Sequence, residues 1–148
     1  MAHVADLFIA GGRNNPIDAK DFDNSLLKPL VLKSTERGDF FDIPPHGSIL
    51  THSIERFAIP PFVVVTAIGK STYARCGLIV NITPLEPGWR GVLTIEIANT
   101  THSWVRVYAG EGIAQLIFHR LDGVPDVTYA DRGGKYQNQG AEVVTAMA

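Results

Sequence analysis

Cysteine is nearly absent from this 148-residue chain, which has a single one, Cys76, against 14 glycines and 9 prolines. One thiol excludes an internal disulfide and removes every zinc site built on paired thiolates. The 5 histidines, His3, His46, His52, His102 and His119, include no pair at i, i+3 or i, i+4, the spacing that sets two imidazoles on one helical turn. No zinc ligand set emerges, and none is expected. Positive charge is not in excess either: 13 Lys and Arg stand against 15 Asp and Glu, for a net charge of -2. Binding DNA or RNA through phosphate neutralisation needs clustered cations, so neither is expected as a partner. Long apolar runs are also lacking. The longest, Phe62 to Ile68, falls far short of the roughly 20 residues of a membrane-spanning helix. Met1 to Asp6 show no basic stretch followed by an apolar one, so the start does not look like a signal peptide and a cytoplasmic, membrane-free protein is expected.

What is present is 45% hydrophobic residues, enough for one packed domain over 1–148 and too many for a disordered chain. Gly and Pro punctuate short runs of Val, Ile, Thr and aromatics, the pattern of an all-β domain. Ser48–Glu55 follows the turn signal Pro44-Pro45-His46-Gly47, and Phe62–Ile68 follows Pro60-Pro61. In Gly91–Asn99, Leu93, Ile95 and Ile97 share one face while Val92, Thr94, Glu96 and Ala98 share the other, which puts Glu96 opposite the aliphatic core. Ser103–Tyr108 runs through Ala109-Gly110-Glu111-Gly112 into Ile113–Phe118, and the simplest reading is a hairpin. Only Ser71–Cys76 looks helical. Residues 11–25 carry little periodicity and are expected to form an extended surface segment. The architecture implied is a sandwich, jelly roll or barrel.

Three stretches offer chemistry. Gly69-Lys70-Ser71-Thr72-Tyr73-Ala74-Arg75 joins a strand to the short helix with hydroxyls, cations and backbone amides at its start, a setting suited to an anion. A helix capped by Ser71 with solvated cations explains the same residues, and the local pattern favours that account; the spacing is not that of a Walker A loop. Glu86-Pro87-Gly88-Trp89-Arg90-Gly91 is a turn bearing a carboxylate and an indole, and taken alone it is a surface turn with a packing Trp. Glu96 taken alone is a solvent-facing strand residue; in a cleft, it suits general acid and base work. The tail carries Tyr129, Arg132, Lys135, Tyr136 and Gln139 among glycines, and it is either a frayed terminus or a lid that orders over a nucleotide.

Taken in order, these motifs, with Gly112-Ile113-Ala114-Gln115 and Asp131-Arg132-Gly133-Gly134-Lys135-Tyr136-Gln137, resemble the dCTP deaminases of the trimeric dUTPase superfamily. The resemblance runs from about Ala5 to Gly140 and is dense from Ile59 onward. It implies an all-β, dUTPase-like β-barrel or distorted jelly roll with one short helix, assembled as a homotrimer with nucleotide sites between subunits. It also implies that Glu96 is the general base and acid, that the loop Lys70, Ser71, Thr72, Tyr73, Ala74, Arg75 holds the triphosphate and the reacting water, and that Glu86 and Trp89 belong to the substrate turn. Thr94 and Ile95 would meet the base through backbone groups. Gln115, Tyr129, Lys135 and Gln139 match positions that bind phosphates or close the tail, with 129–148 as a flexible lid. The family works without zinc, and magnesium accompanies the triphosphate.

Hydrolytic deamination needs a water at C4 of cytosine and a group that carries its proton to the departing ammonia. With no thiolates for zinc, activation would rest on Glu96, with Ser71 and Arg75 orienting the water and stabilising charge. Family members usually carry some tens of residues upstream, with a Gly-Tyr-Asp-like segment, for which Asp6-Leu7-Phe8 and Gly11-Gly12-Arg13 are no clear substitute. The leading function is therefore a dCTP deaminase releasing dUTP and ammonia, with dUTP or dTTP as further possible ligands. The rivals are a dUTPase or dUMP-forming deaminase using Glu86, and a nucleotide-binding regulator without catalysis.

Overall fold

The strict alternation along Arg90–Asn99 decides the framework, because it makes one strand buried on one face for its whole length. The computed structural model describes residues 17–146 together with the backbone of a strand at 5–7. Ten strands are assigned in it: β1 (Ala5–Leu7), β2 (Leu27–Pro29), β3 (Lys33–Thr35), β4 (Gly38–Ile43), β5 (Ser48–Ala58), β6 (Val63–Gly69), β7 (Leu78–Asn81), β8 (Arg90–Asn99), β9 (Val105–Tyr108) and β10 (Ala114–Arg120). One short helix, α1 (Ser71–Ala74), sits between β6 and β7, and a 3-10 turn covers Asn24–Leu26. The expected extended segment lies outside the described residues from 11 to 16 and contains that 3-10 turn beyond them. Gly11-Gly12-Arg13 and Phe8 lie outside them as well. No helix among the described residues is long and apolar enough to cross a membrane.

The strands form an antiparallel five-stranded sheet in the order β2-β1-β5-β8-β7, a three-stranded sheet β3-β4-β9 and a two-stranded sheet β10-β6. Their inner faces meet in one core, where Ile43, Ile49, Val65, Ile97 and Val107 are almost fully buried. Each such side chain contributes about 1.5–3 kcal/mol by leaving water. Leu93, Ile95 and Ile97 of β8 lie in this core, as the alternation required.

One pairing departs from expectation. β9 and β10 do not form a hairpin: β9 pairs with β4, Phe41 opposite Val107, while β10 pairs with β6, Thr66 opposite Ile117. Residues 109–113 cross from one sheet to another, tied by the Ala109 N–H to Asp39 O at 2.8 Å and the Lys70 N–H to Ile113 O at 2.9 Å. Alternation reveals which face of a strand is buried but not which strand lies beside it.

Two local devices shape the sheet around β8. On β5, His52 opposes Thr94 and Arg56 opposes Val92, so residues 53–55 bulge against Leu93. The Ser53 hydroxyl occupies the gap, accepting the Leu93 N–H at 2.9 Å and donating to Glu55 O at 2.7 Å. At the far end Asn99, 2% exposed, staples the β4–β5 connection to the loop that follows β8. Its amide nitrogen donates to Ile43 O, Pro44 O and Ser103 O at 3.1, 2.9 and 2.8 Å, and its oxygen accepts from the Thr101 N–H and hydroxyl at 2.9 and 2.8 Å. The same corner brings His46 Nε2 to 3.0 Å from His102 Nδ1.

Candidate functional site

Glu96 sits in the middle of β8 with Leu50 of β5 opposite it on one side and Asn81 of β7 on the other. Its carboxylate is half-buried, and Asn81 Nδ2 donates to its Oε2. It lines a cavity of about 820 Å³ together with Leu50, Glu86, Trp89, Thr94, Tyr129 and Gln139. The solvent-facing account of Glu96 therefore gives way to the cleft account. Asn81 escaped the sequence reading because a terminal strand asparagine looks like a turn residue until its neighbouring strand is known.

The turn below this cavity follows from its residues. Pro87 and Gly88, the latter at φ +80°, occupy the central positions, and the Trp89 N–H closes onto Glu86 O at 3.0 Å. Glycine relieves the strain that a side chain would meet at positive φ. Trp89 is buried against the core, and its indole N–H donates to Tyr136 O at 3.0 Å. Glu86 pairs with the Arg132 guanidinium, which also lies 5.0 Å over the Tyr129 ring.

That last contact belongs to the tail, which lies along the start of β8. The Asn138 N–H donates to Arg90 O at 2.8 Å and the Val92 N–H to Gln139 O at 2.9 Å. Gln137 receives the Arg90 N–H at 3.0 Å and donates to Gly88 O at 3.0 Å. Gln139 is buried and its side-chain nitrogen donates to Thr94 Oγ1. Tyr129 Oη accepts the Tyr136 N–H at 3.0 Å, and Lys135 is exposed on the same segment. Ile95, by contrast, turns its side chain into the core.

The remaining candidates are elsewhere. Lys70, not Ser71, is the N-cap of α1, and its carbonyl accepts the Tyr73 and Ala74 N–H groups at 3.1 Å. Ser71 is thus already inside the helix and does not cap it, a correction to the expected helix start. Ser71, Thr72, Ala74 and Arg75 are exposed. Tyr73 is not: its ring is in the core, its Oη accepts the Tyr108 N–H at 3.3 Å, and burial raises its phenol above the ordinary range. Gln115 is exposed on β10 opposite Ile68, two residues beyond Ile113, which holds the Lys70 N–H. Neither Lys70 to Arg75 nor Gln115 lines the Glu96 cavity. One chain thus carries two separate groups, a carboxylate cavity and a hydroxyl-and-cation loop. Among the described residues no group of three or more His, Cys, Asp or Glu could hold a metal ion.

The dCTP deaminase-like family matches residues 1–121, most of the chain. The chain belongs to that family. Among curated relatives, the dCTP deaminase of Roseiflexus castenholzii is 52% identical over 126 residues, covering 85% of this chain and 65% of the relative. That of Herpetosiphon aurantiacus is 50% identical over 123 residues, covering 83% and 64%. That of Burkholderia cenocepacia is 48% identical over 123 residues, covering 83% and 62%. This dCTP deaminase-like chain therefore spans a little under two thirds of the length of these relatives. A native EIAV dUTPase structure superimposes with a TM-score of 0.51 at 21% identity, covering 65% of this chain and 88% of that one. The fold is the dUTPase-like all-β fold with one short helix, as the motifs implied.

Proposed function

We propose that this chain is a dCTP deaminase subunit, which hydrolyses dCTP to dUTP and ammonia. The observation that carries the reading is a half-buried glutamate, Glu96, opening into a cavity of about 820 Å³ beside Trp89 and Thr94, in a chain about half identical to dCTP deaminases. In this reading the pyrimidine enters beside Thr94 and Ile95, whose backbone groups select it, and C4 comes to face Glu96. Glu96 takes one proton from a water as the water oxygen bonds to C4 and the N3=C4 double bond opens, then passes that proton to the amino group; the C4–N4 bond breaks, ammonia leaves, and the remaining hydroxyl proton moves to N3 as the C4 carbonyl forms. Ser71 and Arg75 orient the water and stabilise charge developing in the transition state. Lys70, Thr72 and Gln115 take the phosphates, together with backbone of Tyr73 and Ala74.

Those phosphate groups stand apart from Glu96 within one chain, and a homotrimer that sets the loop of one subunit against the cavity of the next supplies the missing half. The apolar surface of the β6–β10 ribbon supports such packing, with Ile68 49% and Ile117 44% exposed, because large apolar side chains rarely cluster on a free surface. The tail from Tyr129, with Lys135 and Gln139, acts as the lid over the bound nucleotide. We take the reaction to be zinc-free, because the chain has a single thiol and its family resemblance assigns the water to Glu96. Magnesium then enters on the triphosphate, as part of the substrate. The enzyme would work in the cytoplasm on a soluble nucleotide.

The test is incubation of pure protein with dCTP and magnesium, followed by chromatography of the nucleotides. A dUTP peak that persists with phenanthroline and fades when magnesium is removed is the expected result. A dUMP peak would replace the reading with a dUMP-forming enzyme, and unchanged dCTP would overturn it.

A further inference from the structure

We propose that Asn81 is a positioning residue for Glu96: its amide parks one carboxylate oxygen so that the other alone handles the proton. This inference rests on the deaminase reading above and names a residue that reading does not use. Asn81 closes β7, and the β7–β8 register sets it directly opposite Glu96, where cross-strand side chains of one face lie about 5 Å apart at Cβ. Leu50 stands opposite Glu96 on the other flank and has no polar group to offer. Among the described residues, Asn81 is the side chain that hydrogen-bonds this carboxylate, through Nδ2 to Oε2.

A carboxylate on a flexible Glu side chain can rotate either oxygen toward a substrate, and each wrong orientation takes the base away from the water. Holding Oε2 against the strand edge leaves Oε1 directed away from β7, free to receive and release the proton. An asparagine suits the task chemically. Its amide nitrogen donates only, and it makes the same bond to Oε2 whether the proton is absent or resides on Oε1. It neither competes for the proton nor adds a charge beside the base. Replacing it by aspartate would remove the donor and set a second carboxylate against the first.

The experiment compares wild type with Asn81→Leu, which keeps volume but donates nothing, and Asn81→Gln, which keeps the amide one methylene further out. Steady-state dCTP turnover is measured for all three, together with thermal unfolding of Asn81→Leu, Glu96→Leu and the double variant. The expected result for Asn81→Leu is a kcat lower by about 10- to 100-fold, the scale for a misplaced reacting group, with KM within about twofold of wild type, and partial recovery in Asn81→Gln. The effects of Asn81→Leu and Glu96→Leu on the unfolding temperature should be non-additive, because the two side chains share one bond. Wild-type turnover with unchanged kcat in Asn81→Leu overturns this inference and leaves the deaminase reading standing. Additive unfolding effects, or losses carried by KM, also overturn it, because they assign Asn81 to general support of the strand edge. Wild-type protein that leaves dCTP untouched fails at the reading itself, and the inference falls with it.

Discussion

The side-chain amide of Gln139 donates to the hydroxyl of Thr94, so the tail reaches the strand that carries Glu96 at a position two residues away. The backbone reinforces the same union, since the Val92 N–H donates to Gln139 O. If Thr94 lies where the base is recognised, losing this link should be felt in substrate affinity. We expect Gln139→Ala to raise KM for dCTP about three- to tenfold, matching a net hydrogen-bond contribution of about 1 kcal/mol, with kcat changed less. Unchanged KM alongside a lower unfolding temperature would assign the tail to stability alone.

A site divided between chains can be rebuilt from two defective partners. Glu96→Gln should bind nucleotide and fail to deaminate it, because the amide preserves shape and removes the proton acceptor, and Arg75→Ala should be similarly impaired. Co-refolding the two variants in equal amounts should restore about one quarter of wild-type activity, the fraction of sites that receive an intact cavity from one chain and an intact loop from its neighbour. Activity no greater than the two variants measured apart would refute the shared site.

Asn99 gives a stability prediction independent of function. Asn99→Ala leaves the carbonyls of Ile43, Pro44 and Ser103 without their shared donor, and a buried unsatisfied polar group costs about 1–3 kcal/mol. The expected outcome is a loss of about 2–4 kcal/mol in denaturant unfolding with an unchanged slope, larger than for Thr101→Ala. A loss no greater than for an average surface substitution would show that the corner holds without its staple.

Acid stability should depend on Asp42. Arg106 Nε at 2.8 Å and Lys33 Nζ at 3.2 Å hold its carboxyl below the usual carboxylate range, the Arg106 hydrogen bond leading and partial burial opposing. A pKa lowered by folding contributes stability that is complete above the unfolded value, about 3.9, and is lost as pH falls through the folded value. Asp42→Asn should therefore lower the unfolding temperature at neutral pH and lose less than wild type on acidification below about pH 4. Parallel acid curves for the two proteins would dismiss this pair as a stabilising element.

These predictions divide along the line of what the chain reveals by itself. β8 was legible because burial on one face imprints a period of two, β5 and β6 because Pro44-Pro45 and Pro60-Pro61 precede them, and α1 because Gly69 and Gly77 bracket a short stretch without strand character. Glu96 was legible as opposite the core. Its environment was not, since Leu50 and Asn81 reach it from strands 46 and 15 residues away and no local pattern encodes that meeting. The missed β9–β10 crossover has the same cause: Ala109-Gly110-Glu111-Gly112 has the composition of a tight turn, while the choice of partner strand is made by packing against β4 and β6. Asn99 looks like a strand-ending turn residue, and only the meeting of the β4–β5 connection with the loop after β8 makes it a core residue.

The bulge in β5 bears on how this sequence can change length. Residues 53–55 stand against the single residue Leu93, an excess of two, and two is the period of a strand. Inside and outside therefore keep the same parity before and after the bend, so that Ile49 remains inward while Leu50 keeps its place beside Glu96. Adding or removing one residue at the bend would invert that parity along half the strand, presenting Leu50 to the core and Ile49 to the cavity. Adding or removing a pair would leave both faces intact. Length variation at this bend is accordingly expected in even steps, a constraint that a library of single and double insertions after Ile54 would expose directly.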